Sequence, residues 1–337
     1  MNPVLVEVTR GQLVESIHRG AVAIARADGS MMFSLGDIET PAYPRSSLKP
    51  IQALPLIESG AAEAFDLSDE EIALTCASHS GEPMHTARVA AWLKKIGCDE
   101  TDLACGPHAV RYEPVWNEMI RRGEKPTSIH NNCSGKHTGF LTVARHWDVA
   151  TKGYQTHEHP VQQAVAKTLA NLTGIHVNMP WGVDGCTAPN FAVPLSAFAR
   201  ALAKLADPYS LDETRAKAAR RIVKAMIAHP ELVAGTGRSD TILMRSCGGR
   251  AATKTGAEAY YAAIVPEAGL GVALKIDDGA GRASETVIAA ILDKLRLLGE
   301  DQDARELIRA PVLNTRHAIV GERRPAQALR DAVLKPL

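Results

Sequence analysis

Three short segments of the chain supply serine hydroxyls and lysine amines. Ser46 stands three residues before Lys49, Ser78 begins the segment Ser-His-Ser, and Lys254 begins the segment Lys-Thr-Gly. A lysine amine that has lost its proton can accept the proton of a serine hydroxyl, which turns the serine oxygen into a nucleophile. These residue types therefore indicate acyl transfer through a covalent serine intermediate.

The segment around Ser46 predicts a buried helix that starts at this serine. The residues after it are apolar at helical spacing, namely Leu48, Ile51, Leu54 and Ile57. At a helix N-terminus a backbone N–H is free to bind an oxyanion, and Lys49 lies on the same face one turn later. Pro55 is expected to kink or end the helix. The simpler alternative is that Ser46 only caps the helix and Lys49 is a solvated charge.

The order of the three segments matches the signatures of serine acyl-transferases of the β-lactamase and penicillin-binding type, S-x-x-K, S-x-N and K-T-G. The match is partial, because Ser80 stands where the second signature has Asn. In this interpretation Ser78, paired with Lys254, passes a proton to the leaving group. Gly256 permits a close backbone approach, and the N–H of Ala257 is a second oxyanion donor. The alternative is that Lys254 marks an exposed turn before a strand.

A second cluster of polar residues combines two thiols with a carboxylate. Cys133 precedes Lys136 and His137 by a few residues, and Asp184 precedes Cys186. Two thiols and a carboxylate can supply a soft tetrahedral zinc site with a fourth ligand from nearby. The alternative is that both cysteines are small buried hydrophobic residues.

Composition narrows the class of function. The 337 residues are 45% hydrophobic, and 38 basic residues balance 38 acidic ones. A neutral chain with only 4% aromatic residues favours neither nucleic acid nor an anionic membrane as its partner, so a small-molecule substrate is expected. The six cysteines form no CxxC pair, and the N-terminus lacks a secretory pattern. We expect a soluble cytoplasmic protein with free thiols.

Strand patterns lie near both ends of the chain. Alternating apolar residues predict an antiparallel hairpin within Val4–Phe33, with its turn at Ala27–Ser30, and a second hairpin from Ala259–Val265 and Gly271–Ile276. Residues beyond Pro311 are expected to be peripheral. One antiparallel sheet built from both termini is therefore predicted.

Between these strands the periodicity is helical. Capping boxes are predicted at Ser68–Glu71 and Ser210–Glu213. Helices are expected at Pro83–Ile96, Pro114–Arg122, Pro160–Leu172, Leu195–Leu205, from Ser210 to Ile227, and at Ala283–Leu298. The fold class is α+β. We predict a single catalytic domain over residues 1–337, with a sheet lobe of about 1–45 and 245–337 and a helical lobe of about 46–244.

Five motifs in order resemble the bacterial asparaginase II family, the class 3 L-asparaginases of the rhizobial type, over nearly the whole chain. They are Arg45-Ser-Ser-Leu-Lys-Pro50, Cys76-Ala-Ser-His-Ser-Gly-Glu82, Asn131-Asn-Cys-Ser-Gly-Lys-His137, Val183-Asp-Gly-Cys186 and Lys254-Thr-Gly-Ala-Glu258. The resemblance implies a cytoplasmic homodimer with a serine β-lactamase and glutaminase-like fold that hydrolyses L-asparagine to L-aspartate and ammonia.

The resemblance also implies roles for individual residues. Two Ser–Lys tandems correspond to Ser46 with Lys49 and Ser78 with Lys254, and Ser46 is the nucleophile. Arg45 and His137 are expected to help hold the substrate. A zinc ion beside the substrate, which orients the substrate and is dispensable for turnover, would be held by Cys133, Lys136 and Cys186, with Asp184 linked through water.

Two other interpretations stay open at this stage. A glutaminase or a β-lactam-reactive serine hydrolase can use the same fold and motifs, because fold does not determine the substrate. A non-catalytic zinc-dependent binding protein would use the serines only as helix caps.

Overall fold

A computed structural model gives the structure of the protein and describes residues 1–334 and 337. The strands, in chain order, are β1 (Val4–Arg10), β2 (Leu13–Arg26), β3 (Met31–Leu35), β4 (Trp181–Val183), β5 (Pro189–Phe191), β6 (Ala252–Thr255), β7 (Tyr260–Val265), β8 (Leu270–Ile276), β9 (Ala310–Leu313) and β10 (Ile319–Pro325). The first seven helices are α1 (Lys49–Gln52), α2 (Leu54–Glu58), α3 (Ala61–Ala64), α4 (Asp69–Thr75), α5 (Pro83–Lys95), α6 (Glu113–Arg121) and α7 (Ser134–His146). The later helices are α8 (Pro160–Thr173), α9 (Leu195–Ala206), α10 (Glu213–Ala228), α11 (Pro230–Val233), α12 (Ser239–Ser246), α13 (Gly281–Lys294), α14 (Gln302–Ile308) and α15 (Gln327–Arg330).

The chain divides into two compact units. The sheet unit contains residues 1–47, 193–210 and 242–337, and the helical unit contains residues 48–192 and 211–241. The sequence predicts 193–210 in the helical lobe, whereas the structure places this segment with the sheet. The reason is that α9 is buried along almost its whole length and packs on β2, β7 and β8. The single catalytic domain stays a prediction.

The sheet unit is built on one antiparallel sheet with the strand order β6-β7-β8-β2-β1-β10-β9, and β3 pairs with β2. Strands β1, β2 and β3 come from the N-terminal part of the chain, and the other strands of this sheet come from the C-terminal part. Both predicted hairpins are present: β2 and β3 join at the turn before Met31, and β7 and β8 pair from Tyr260–Lys275 to Val265–Leu270. The prediction of an antiparallel sheet built from both termini is confirmed.

Both faces of β8 are buried, which explains its almost continuous apolar sequence. Leu270, Val272 and Leu274 join the core formed with α13. Gly271 points the other way, because neighbouring strand residues alternate between faces. A Cβ at Gly271 would lie 2.2 Å from the carbonyl oxygen of Ala199, so only glycine lets α9 come this close to the sheet.

The C-terminal segment is part of the sheet and not peripheral, which corrects the sequence prediction. β10 pairs with β1, from Val6 with Pro325 to Val8 with Arg323, and β9 pairs with β10. The sequence of β10, Ile-Val-Gly-Glu-Arg-Arg-Pro, lacks an apolar alternation, because these strands lie at the partly exposed end of the sheet.

Helix α7 is the central element of the helical unit. It contacts α2, α3, α4, α5 and α8, and it is buried from Ser134 to Ala144. Two glycines one turn apart allow a close approach to the end of α4. A Cβ at Gly135 would lie 2.3 Å from the carbonyl oxygen of Leu74, and one at Gly139 would lie 2.5 Å from Cγ2 of Thr75.

One of the two predicted capping boxes is present as predicted. Ser68 accepts a hydrogen bond from the N–H of Glu71, and the Glu71 carboxylate accepts one from the N–H of Ser68. The other helix, α10, is capped by Asp212 and not by Ser210. Asp212 carries the oxygen at the position that reaches the N–H of Arg215, at 2.9 Å. Among the described residues, every helix is too short or too polar to span a membrane.

Candidate active site

Ser46 lies in a tight turn and not at the start of one continuous helix. The chain forms a 3-10 helix at Arg45–Leu48, then α1, and α2 after a break at Ala53. The break precedes Pro55, whose position was predicted to interrupt the helix. The predicted helix N-terminus at Ser46 is therefore wrong, because Leu48 is the N-cap residue of α1. Ser46 is partly exposed, whereas Ser47 is fully buried.

Within the sheet unit, the edge strand β6 lies along this turn. Ser47 Oγ donates a hydrogen bond of 2.9 Å to the carbonyl oxygen of Lys254. A Cβ on Gly256 would lie 2.5 Å from the carbonyl oxygen of Pro44 and 2.9 Å from Ser47 Oγ. Gly256 therefore makes the close backbone approach that its position in the Lys-Thr-Gly segment predicts, and the segment lies directly beside the serine turn.

Both segments contain non-glycine residues with a positive φ, as do five other positions among the described residues. Arg45 has a φ of 52°, and the consecutive residues Glu258 and Ala259 have φ values of 57° and 56°. Residues other than glycine rarely adopt this left-handed region, and strain of this kind clusters at functional sites. Ala257, the predicted oxyanion donor, is exposed between Gly256 and the strained pair.

Within the helical unit, Lys49 is buried with its amine among three acceptors. The residue is 1% exposed, and Nζ contacts the carbonyl oxygen of Ala77, Ser78 Oγ at 3.1 Å and Cys133 Sγ at 3.2 Å. A protonated amine has three N–H groups, so these contacts can satisfy all of them. The predicted residues Lys49, Ser78 and Cys133 are thus brought together.

Ser78 lies three residues beyond the end of α4, in an extended segment that other parts of the helical unit hold in place. Its N–H donates to the carbonyl oxygen of Val233 at 2.8 Å, and the N–H of His79 donates to that of Asn132 at 3.2 Å. Further along, the Glu82 carboxylate accepts hydrogen bonds from the N–H and hydroxyl of Thr236. The position of the Ser78 hydroxyl is therefore set by contacts that are distant in sequence.

His79 is a buried residue that sequence reasoning missed, although it lies inside the Ser-His-Ser segment. Its Nδ1 accepts from the N–H of Gly81 at 3.1 Å, and its Nε2 is 2.8 Å from Ser134 Oγ. Because the Ser134 hydroxyl donates to the carbonyl of Ile129, His79 Nε2–H must donate to Ser134. Burial lowers the pKa of His79 well below its ordinary value. His79 is therefore a neutral ring that ties the Ser78 segment to the start of α7.

Cys133, Lys136 and Cys186 form the second predicted cluster. Lys136 Nζ is 2.9 Å from Cys186 Sγ, and the two thiols are hydrogen-bonded to each other. This hydrogen bond and, to a smaller extent, burial raise the pKa of Cys133 to about 12. The same hydrogen bond lowers the pKa of Cys186 well below its ordinary value. Burial disfavours a charged Lys136, but Cys186, Cys133 and Asp184 outweigh it and raise its pKa. The cluster therefore holds its charge as a pair, an ammonium beside a thiolate.

The donor set can be tested against a metal ion. Across residues 1–334 and 337, no group of three or more His, Cys, Asp and Glu side chains is arranged to hold one. The converging donors are two sulfurs and the amine of Lys136, a soft set of the kind that zinc accepts. The residues therefore fit zinc only if Lys136 is a ligand, which requires it to lose its proton.

His137, the predicted substrate contact on α7, is fully buried beside this cluster. Burial and, to a smaller extent, the charge of Lys136 lower the pKa of His137 to about 3, so the ring is neutral. Its Nδ1 is 2.6 Å from the hydroxyl of Tyr154. Tyr154 is a second residue that sequence reasoning missed, because it lies in a polar connection between α7 and α8 with no motif around it.

The chain is similar to one known protein family and to several solved structures. The model of the L-asparaginase II family matches residues 6–325. A search of curated proteins found no match. The solved structure of Mglu in its native form is 14% identical, with a TM-score of 0.51, and the match covers 90% of this chain and 70% of that one. Unliganded simvastatin synthase (LovD) from Aspergillus terreus is 10% identical, with a TM-score of 0.41, and the match covers 79% and 90%. The likeness to Mglu supports the fold alone, and the predicted β-lactamase-like fold is confirmed.

Proposed function

The chain belongs to the L-asparaginase II family, and we propose that it hydrolyses L-asparagine to L-aspartate and ammonia. Family membership supports the broader description, an asparaginase-type amidohydrolase. The observation that carries the proposed Ser–Lys mechanism is the buried amine of Lys49, which contacts the hydroxyl of Ser78. A buried amine beside a hydroxyl is the arrangement that serine activation by lysine requires.

The proposed reaction is a double displacement. Ser46 Oγ attacks the side-chain amide carbon of the substrate and loses its proton to a base. The C–N bond then breaks, a proton passes to the nitrogen, and ammonia leaves a β-aspartyl ester on Ser46. Water attacks this ester by the reverse route and releases L-aspartate.

Lys49 is the proposed base for Ser46, from which it is separated by one helical turn of chain. Its contact with Ser78 supports a relay in which Ser78 carries the proton to the leaving nitrogen. Once Lys49 is neutral, its Nζ can accept a hydrogen bond from the Ser78 hydroxyl instead of donating one. The Lys49–Ser78 contact thus offers a path for the proton in both directions.

The remaining roles are also part of the proposal. The N–H groups of Ser46 and Ala257 would bind the oxyanion, which preorganised donors stabilise in a dry site. Lys254 would assist Ser78 as the second tandem lysine. Arg45 and His137 would bind the substrate. The strained backbone at Arg45 and after Gly256 supports a role for both segments, because strain persists where function needs one geometry.

Zinc is proposed as a bound ion, held by Cys133, Lys136 and Cys186 with Asp184 nearby. When bound, it would supply a fixed positive charge that orients the substrate. The cytoplasmic location and the homodimer stay predictions. Sedimentation analysis of the purified chain would test the homodimer.

The proposal is tested by ammonia release from L-asparagine and from L-glutamine, measured with wild type and with Ser46→Ala. Ser246→Ala is the matched control, because its buried hydroxyl has no hydrogen-bond partner within the described residues. We expect asparagine-selective release that is lost in Ser46→Ala and kept in Ser246→Ala. A glutamine rate equal to or above the asparagine rate would replace asparaginase by glutaminase. Release from neither amide would overturn the proposal.

A further inference from the structure

The ring of His137 has one nitrogen with a partner and one without. Nδ1 is 2.6 Å from the Tyr154 hydroxyl, whereas Nε2 is buried and has no hydrogen-bond partner among the described residues. The ring packs edge-on against Tyr154 and Phe140, which fixes its orientation. Several buried polar atoms of the described residues lack a partner, and this nitrogen is a candidate contact for a ligand because its residue directly follows Lys136 of the thiol cluster.

The hydrogen bonds around Tyr154 determine which nitrogen of His137 carries the proton. The N–H of Ala104 donates to the Tyr154 hydroxyl oxygen at 3.0 Å. The single hydroxyl proton of Tyr154 is then directed at its other neighbour, His137 Nδ1. Because Nδ1 accepts, the proton of the neutral imidazole must lie on Nε2. The unpartnered atom is therefore an N–H donor.

We infer that Tyr154 is a positioning residue that holds His137 in the Nε2–H tautomer, so that this N–H donates a hydrogen bond to an oxygen atom of the amide substrate. The inference rests on the proposed function and assigns Tyr154 a part in it. The N–H of His137 donates to the carbonyl oxygen of Cys133 at 3.0 Å, and Cys133 Sγ contacts the amine of Lys49, so the donor lies beside the proposed proton relay. A substrate carbonyl or carboxylate oxygen satisfies such a donor, whereas an ammonium group does not.

Without the Tyr154 hydroxyl the His137 proton can move to Nδ1. The Nε2 lone pair would then face the substrate oxygen, and the two acceptors would repel each other. Tyr154→Phe keeps the ring and removes only the hydroxyl. We expect kcat/KM for L-asparagine to fall about tenfold or more, the size of one lost hydrogen bond to a buried group.

A His137→Gln background separates a role of Tyr154 in positioning the His137 proton from a purely structural role. In His137→Gln, the side-chain amide carries an N–H donor near the position of Nε2, and its state does not depend on Tyr154. Tyr154→Phe should therefore change kcat/KM by less than about twofold in the His137→Gln background. If Tyr154 only supports the backbone at Ala104, the loss of activity will be equal in both backgrounds, and the inference is overturned.

Tyr260→Phe is the matched control, since its buried hydroxyl has no hydrogen-bond partner within the described part of the chain. It should keep wild-type kcat/KM. If wild type releases ammonia and Tyr154→Phe equals it, the inference fails and the proposed function stands. If wild type releases no ammonia from any amide, the proposed function itself fails.

Discussion

Two buried regions of the chain, one in each unit, contain different kinds of side chain. In the sheet unit, the core between the strands and α13 is apolar, with Val22, Ile24 and Leu274 fully buried. In the helical unit, Lys49, Lys136 and His137 are almost as inaccessible, and they lie among thiols and hydroxyls. A buried polar group destabilises a fold unless it is hydrogen-bonded. The apolar region therefore contributes stability through buried area, whereas the polar region depends on pairing its polar groups.

This difference indicates where mutations act. Side chains in the apolar core have no contact with reacting groups, so their loss should lower stability without changing the chemistry. Lys49 and Ser78 of the polar region belong to the proposed relay, so their loss should lower the rate first.

The largest effect is expected at Lys49. Lys49→Met keeps the length of the side chain and removes the amine that contacts Ser78 and Cys133. Loss of the base should lower kcat/KM by about 10³-fold to 10⁴-fold. Steady-state ammonia release measures it, and Lys167→Met, on the exposed face of α8, is the control. A variant of Lys49 with more than a tenth of wild-type activity would remove it from the mechanism.

The next effect concerns stability in the sheet unit. Leu274→Ala leaves a cavity in the core of β8 and should lower the free energy of unfolding by about 2–5 kcal/mol. The activity per folded molecule should stay at the wild-type value. Urea unfolding followed by circular dichroism gives the free energy, and Leu313→Ala, which is 48% exposed, should change it by less than about 0.5 kcal/mol. A loss of activity in folded Leu274→Ala would contradict the division between the units.

The elements that the sequence predicts well depend on residues that are close to one another in the chain. The hairpins of the sheet unit follow from local alternation and turn residues, and the Ser68–Glu71 capping box spans only one helical turn. Local signals of this kind are readable in a single sequence. β9 and β10 were missed because a partly exposed sheet end needs no apolar pattern.

The candidate site is less predictable because its contacts are distant in sequence. Lys49 meets Cys133 across 84 residues, and the Ser78 segment is held by Val233. Gly135 and Gly139 permit the close packing of α7, which follows Cys133, on α4, which precedes Ser78. In the sequence these glycines look like ordinary helix-weakening residues. The motifs identified the chemical groups, whereas the hydrogen-bonded partners, such as Tyr154, required the fold.

Acid sensitivity should come from the helical unit. Burial lowers the pKa of His79 and of His85 below 6.5 in the folded state. Below that pH the unfolded chain binds protons that the folded chain does not bind. The contribution of these two rings to the free energy of unfolding is therefore present at neutral pH and is lost as the pH falls. Between about pH 6.5 and its lowered folded-state pKa, each ring should lower the free energy of unfolding by up to about 1.4 kcal/mol per pH unit.

Urea unfolding at a series of pH values from 7.5 to about 5 tests this expectation. His85→Gln should make the decline shallower, and His176→Gln, at an exposed position, should leave it unchanged. Equal slopes for His85→Gln and wild type would show that the buried rings do not cause the decline.

The smallest effects are expected at the helix caps. Ser68→Ala removes the cap of α4, the helix that precedes Ser78, and should cost about 1 kcal/mol. Asp212→Ala should cost a similar amount at α10, whereas Ser210→Ala should change little, because Asp212 is the residue that caps this helix. Thermal unfolding of the three variants gives the comparison. A larger loss for Ser210→Ala than for Asp212→Ala would contradict the assignment of the cap.

The central claim is that Ser46 forms a covalent acyl intermediate. The most direct measurement is intact-protein mass spectrometry after acid quench of the protein mixed with L-asparagine, followed by peptide mapping of the modified residue. The account predicts a mass increase of one aspartyl group on the peptide that contains Ser46, and none in Ser46→Ala. Turnover in wild type with the aspartyl group on Ser78, or with Ser46→Ala still acylated, would contradict it.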